Sequence, residues 1–234
     1  MTLTKRSDKR KFEDLRPMEA KVGIISRADG SAMFKIGKTI ALAAVYGPRE
    51  LHPKFLQNPE KGVLRCNYNM MAFSGSGDRV RPGPSRRSKE ISLVTEKALA
   101  SVVDLDKFPN SVVDVFIELI QTDAGTRCAG ITAASMALAD AGVPMRDMVS
   151  SVAVGKVGGK IVVDLSKEEE DFEGGAVDIA LAMTKRDKKI TLMQIDGEIK
   201  KDELLKALEM AKSATDKIYA LQKEALKAKY VREK

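Results

Sequence analysis

A single histidine, two cysteines and no tryptophan occur among the 234 residues, and each scarcity removes a class of chemistry. A Ser-His-Asp triad needs a histidine base, and His52 lies in the proline-containing stretch "ELHPKF" with no partner in sight. That placement reads as a solvent-facing loop. Most zinc sites draw on histidine or on several cysteines, and Cys66 and Cys128 supply neither a metal set nor a disulfide framework. No N-terminal run is long and apolar enough for a signal peptide or a membrane span, so a reducing, soluble, cytoplasmic setting is expected. Aromatics make up only 5% of the chain, which leaves few rings on which bases could stack and weighs against a generic basic RNA-binding module. Chemistry must come from carboxylates, arginines or a metal.

The hydrophobic content, 44%, is ample for a core, and the length suits a single domain spanning 1–234. A formal charge of +7 and a pI near 9.3 favour an anionic partner. The opening segment 1–17 is charged and aperiodic and reads as an extended or partly mobile lead-in. From Lys21 the pattern turns to strands: "KVGIIS" and "AMFKIG" flank Ala28-Asp29-Gly30, read as a tight hairpin turn, and "TIALAAVYG" continues the meander. After a proline-containing connection, "VLRCNYNMMAF" alternates as a strand. Ser85 then offers an N-cap to a helix carrying Ile91, Val94, Ala98 and Val102 at helical spacing.

The second half repeats the strand-rich organisation, with turns at Val157-Gly158-Gly159 and Arg186-Asp187. An amphipathic helix at 202–230 follows it. The class is α+β, in two similar halves. "GKVGGK" at 155–160 has phosphate-loop composition, but the spacing is wrong and a hairpin is the better reading.

Three constellations can carry chemistry. In "QTDAGTRCAG", 121–130, an apolar strand runs into a small-residue helical stretch. Backbone N–H groups are left unpaired at such a junction. Gly125 permits a tight turn, Thr126 donates twice and Arg127 brings a planar fork, which together suit an anion. The competing reading is that Asp123 or Thr126 only caps the helix while Arg127 points to solvent. The second constellation is Arg79, Arg81, Arg86 and Arg87, whose positive charge at a helix start opposes the macrodipole and so suggests a ligand rather than helix stabilisation. The third is the acidic run Glu168, Glu169, Glu170, Asp171, Glu173, read mostly as solvated, with Asp178 set apart inside the strand-like "GGAVDIALAM". A carboxylate among apolar neighbours needs a proton to deliver or a metal to hold.

In combination, "RADGSA", "AVYGPRE", "PGPSRRSKEISLV", "QTDAGTRCAGITAASMALADAGVPMRDMV" and "VDLSKEEEDFEGGAVDIALAM" resemble the RNase PH family, and within it the catalytic subunits of archaeal exosome cores. The resemblance implies an RNase PH-like fold of the ribosomal-protein-S5-domain-2 type, with repeated β-meander halves and packed helices. It implies phosphorolysis: inorganic phosphate attacks the last phosphodiester of a single-stranded RNA 3′ end and releases a nucleoside 5′-diphosphate, reversibly. It places phosphate on Gly125, Thr126 and Arg127, and RNA on Arg86 and Arg87, with Lys61 or Arg65 along the path and Arg79 and Arg81 nearby. Asp178 takes the downstream catalytic position. The family's two aspartates stand six apart, and the resemblance assigns the upstream place to Asp171, seven before Asp178, with Glu170 and Glu173 as alternatives. Asp178 and Asp171 would also hold Mg²⁺. Lys9 stands where relatives carry glycine. The implied partners are a paralogous subunit in a hetero-hexameric ring and S1/KH-type cap proteins. The other reading of the same fold is a non-catalytic RNA-binding scaffold in that ring.

Overall fold

The computed structural model describes residues 5–231, so the first four residues of the lead-in lie outside the described part. The first half opens with three antiparallel strands, β1 (Met18–Val22), β2 (Gly30–Ile36) and β3 (Thr39–Glu50). Next come β4 (Val63–Met70), helix α1 (Arg86–Ala100) and β5 (Ser111–Gln121). Because a helix returns the chain between them, β4 and β5 pair in parallel. The sheet order is β1-β2-β3-β5-β4.

After α2 (Thr126–Asp140), the second half builds an antiparallel sheet from β6 (Val149–Val157), β7 (Lys160–Val163), β8 (Ala176–Thr184) and β9 (Ile190–Asp196), in the order β7-β6-β8-β9. The one-turn helix α3 (Lys167–Glu170) precedes β8, and α4 (Lys201–Ala228) follows the sheet. Both halves are thus meanders, as expected, and the first carries the additional parallel pair. "GKVGGK" is a hairpin in which Gly158 and Gly159 both take positive φ, 51° and 79°. Among the described residues no helix is long and apolar enough to cross a membrane.

The two sheets meet on α2, whose small side chains let strands approach from both sides. Every residue of α2 except Arg127 and Ala139 is buried. Ile117 and Leu119 of β5, Ile131 and Met136 of α2 and Val152 of β6 belong to one apolar cluster, and full burial of each large side chain contributes roughly 1.5–3 kcal/mol. Helix α4 is fastened to this centre by a polar link. Gln222, fully buried, accepts from Ser150 Oγ at 2.6 Å and donates to the carbonyls of Val149 and Thr132 at 3.1 and 3.3 Å.

Two sequence readings change here. Gly30 does not form a tight turn: seven residues, 23–29, separate β1 from β2, and Gly30 is already paired with Val45 inside β2. Its role is close approach, since a Cβ there would lie 2.2 Å from the Ala141 nitrogen at the end of α2. The lead-in, as far as it is described, is irregular but clamped. Arg6 and Arg16 are buried, at 2% and 6% exposure. Arg6 donates to both carboxylate oxygens of Glu169 at 2.7 Å and to the carbonyls of Val163 and Asp164 at 2.8 Å. Lys9 adopts φ 65°, the left-handed region that glycine occupies freely.

Candidate active site

β5 delivers the chain to the junction, where Ala124 and Gly125 both take positive φ, 58° and 62°, and turn it sharply into α2. A left-handed alanine costs about 1–2 kcal/mol, and the turn is held against that strain from several sides. Asp123 N–H donates to Thr39 Oγ1 at 2.9 Å, and Thr39 Oγ1 donates to the Ala124 carbonyl at 2.8 Å. Thr122 N–H donates to the Ser74 carbonyl at 2.9 Å. Arg16 donates to the Asp123 carbonyl while its other nitrogens hold Asp164, just after β7, at 2.9 and 2.6 Å. This arginine ties the junction to the second half.

The N-cap of α2 is Gly125 itself, and no side chain caps the helix. Neither Asp123 nor Thr126 takes that role. The helix therefore begins five residues before the small-residue run, presents its first N–H groups and positive end to a cavity of about 390 Å³, and places Thr126 and Arg127 in its first turn. Gly125, Thr126 and Arg127 line this cavity together with Glu170, Asp178, Arg81 and Arg87. Strand β8 carries Asp178 opposite Gly155, where the glycine lets the strands close: a Cβ there would stand 1.9 Å from the Val177 carbonyl oxygen.

The electrostatics are opposed. Burial pushes the Asp178 carboxyl above its ordinary range, and Asp196, its neighbour across the β8/β9 pair, adds to the rise. Arg127, Arg87 and the Ile179 N–H pull the other way. Asp178 Oδ1 is sealed from solvent without a hydrogen-bond partner. Burial and the nearby Asp178 likewise raise Glu170. Arg127 is oriented from outside the cavity, donating to Gln194 Oε1, whose amide donates in turn to Glu90 at 2.8 Å.

Of the three acidic candidates for the upstream position, Glu170 lines the cavity and Asp171 and Glu173 do not. Asp171 is exposed and held by Lys167 Nζ at 2.7 Å, one turn back along α3 and outside the cavity lining. Helical geometry turns Glu170 inward instead. Glu169, read as part of a solvated run, is buried, pairs with Arg6 and accepts from the Ser166 N–H at 3.0 Å. Glu173 is exposed.

Of the basic residues, Arg87 and Arg81 line the cavity, whereas Arg86, Arg79 and Lys61 are exposed outside it. Arg65 is engaged by Asp114 through two hydrogen bonds, of 2.7 and 2.9 Å. Ser85 does cap α1, in a reciprocal box with Ser88. His52 is exposed, 3.6 Å from Glu50. Sequence reasoning missed Gln194 and Asp196, which reach Arg127 and Asp178 only through the pairing of β9, Tyr68, which carries no motif, and Ser88, which lies within "PGPSRRSKEISLV" but was given no role.

Among the described residues no group of three or more histidine, cysteine or acidic side chains is arranged to hold a metal. Two cavity carboxylates, one with an orphaned oxygen, do fit a hard cation that shares its shell with phosphate oxygens and water.

Known proteins align with this arrangement. The model of the 3′ exoribonuclease family RNase PH matches residues 14–144 with its domain 1 and 147–214 with its domain 2. Exosome complex component Rrp41 of Thermococcus kodakarensis is 52% identical over 97% of this chain and 90% of that protein. Its counterpart in Archaeoglobus fulgidus is 47% identical over 97% and 88%. Among solved structures, rice Rrp46 superposes with a TM-score of 0.84 at 25% identity, covering 95% of this chain and all of that one. A chain of the Archaeoglobus fulgidus exosome with RNA bound to the active site gives 0.77 at 25% identity, covering 97% and 93%.

Proposed function

The chain belongs to the RNase PH family of 3′ exoribonucleases, and we propose that it is the catalytic subunit of an exosome-type ring, shortening RNA from its 3′ end by phosphorolysis. The observation that carries this reading is that the uncapped start of α2, with Thr126 and Arg127, shares one cavity with the buried carboxyl of Asp178, which burial pushes above its ordinary range. A scaffold subunit has use for neither the strained turn nor the buried carboxyl.

In the degradative direction, the Thr126 hydroxyl, the first N–H groups of α2 and Arg127 hold inorganic phosphate in line with the terminal phosphodiester. A phosphate oxygen bonds to phosphorus as the bond from phosphorus to the 3′ oxygen of the penultimate nucleotide breaks. Asp178 gives its proton to that departing oxygen, and a nucleoside 5′-diphosphate leaves. The reverse sequence adds a nucleotide. Glu170 works beside Asp178, whose charge favours the protonated form of Glu170. Arg87 and Arg81 grip backbone phosphates near the 3′ end, and Arg86, Arg79 and Lys61 meet phosphates further back. Arg65 is occupied by Asp114 and contributes less.

A Mg²⁺ ion would be held by Asp178 and Glu170 together with phosphate oxygens, and would supply charge neutralisation on the reacting phosphates. Asp171, held by Lys167 and itself outside the cavity lining, has no part in that set. The natural assembly places this chain beside a paralogous subunit, with S1/KH-type proteins capping the ring. The two buried free thiols, Cys66 and Cys128, suit a reducing cytoplasm.

Product analysis tests the reading. Single-stranded RNA is incubated with the ring, with and without phosphate. Nucleoside diphosphates formed only in its presence are expected, and monophosphates formed without phosphate would refute it.

A further inference from the structure

Tyr68 stands on β4 behind the phosphate turn, and no step above uses it. Its side chain is 4% exposed, and its hydroxyl oxygen is sealed from solvent without a hydrogen-bond partner in acceptable geometry. A buried hydroxyl left in that state is costly and calls for an explanation. The residue nevertheless lines the cavity beside Ser88, Thr126 and Arg127. Its position is fixed at both ends. The backbone N–H donates to Ser92 Oγ at 2.9 Å, and the ring edge lies against α2 where Gly130 leaves room, a Cβ there being 3.6 Å from Cδ2 and Cε2. The ring thus packs against α2, and Tyr68 shares the lining of the cavity with Thr126.

We propose that Tyr68 is a positioning residue for phosphate, its O–H donating to Thr126 Oγ1 from inside the protein so that the Thr126 proton is committed to a phosphate oxygen. Because the phenol oxygen is sealed, the anion meets Thr126 and not Tyr68. A threonine hydroxyl donates one proton and rotates freely unless its acceptor side is occupied. Tyr68 occupies that side, and the two hydroxyls then polarise one another. Burial keeps the phenol protonated well above neutral pH, against smaller opposing effects of Thr126, Arg87 and Arg127, so the donor persists wherever the enzyme works.

The inference rests on the phosphorolytic reading. Tyr68→Phe, assembled with the partner subunit, is titrated with inorganic phosphate at saturating RNA. The KM for phosphate is expected to rise about five- to tenfold, with kcat and the KM for RNA within about twofold. In a Thr126→Val background the same change produces no further rise. Inorganic phosphate alone raises the Tm of the wild-type ring more than that of the variant. An unchanged KM for phosphate, an equal loss on RNA, or full additivity in the Thr126→Val background overturns the proposal. If the wild type is phosphate-dependent and Tyr68→Phe behaves like it, only the relay falls. If the wild type releases monophosphates without phosphate, the phosphorolytic reading falls with it.

Discussion

Arg6 grips both carboxylate oxygens of Glu169, 163 residues away along the chain, at 2.7 Å each. The pair is sealed, with the arginine side chain fully buried, and Glu169 is the neighbour of the inward-facing Glu170. Removing one partner strands a buried charge, which costs about 3–5 kcal/mol. Arg6→Ala should therefore lower stability by that amount in urea titration, and should reduce kcat more than either KM because Glu170 loses its footing.

Asp178→Asn separates stability from activity. An acid whose folded pKa lies above its unfolded value favours folding less as pH rises from the unfolded value through the folded one. Relieving the buried, unpartnered carboxylate should raise the Tm at pH 7, with a gain that vanishes below about pH 4, where the carboxyl is neutral in both states. Phosphorolysis should fall by at least about 100-fold. Calorimetry across pH and a single-turnover assay measure the two effects.

Glycines at the site differ in kind. Gly125→Ala makes only ordinary contact, its Cβ being 3.6 Å from Arg16 Nη2 and 3.8 Å from Ala153 Cβ, and so carries only the left-handed backbone cost of about 1–2 kcal/mol. Gly155→Ala collides with the Val177 carbonyl and pries β6 from β8 under Asp178. Denaturant midpoints should show the second far more damaging.

Arg87 and Arg65 provide a matched pair for RNA binding. Replacing Arg87 by alanine should reduce the salt slope of single-strand affinity by about 0.7. Arg65→Ala should change it little, because Asp114 already neutralises that side chain. Fluorescence anisotropy against salt concentration distinguishes them.

The two halves should unfold together. Arg16 ties Asp123 to Asp164, and one apolar cluster runs from β1 to α4. Far-ultraviolet circular dichroism and tyrosine fluorescence should give coincident transitions.

What could be read in advance followed the range of the interaction. That a strand runs into a helix start at Gly125 to Arg127 was legible because those residues are consecutive and lie between two strongly patterned segments. So were the meanders, the Ser85 cap and the isolation of Asp178. Which acidic side chain faces the cavity was not, because Glu170 and Asp171 are chemically alike in sequence and one turn of α3, with the Lys167 pair, decides it. Gly30 was misread since Asp-Gly is a turn signal, while the atoms that require glycine belong to Ala141, more than a hundred residues on. The clamp of Arg6 and Arg16 left no periodic trace at all.

Helix α2 begins without a cap of its own. Under the proposed function, the anion that meets those first N–H groups is itself the reactant, so one backbone feature would serve both the end of a helix and the chemistry, and the phosphate supply would bear on the stability of the turn as well as on the rate.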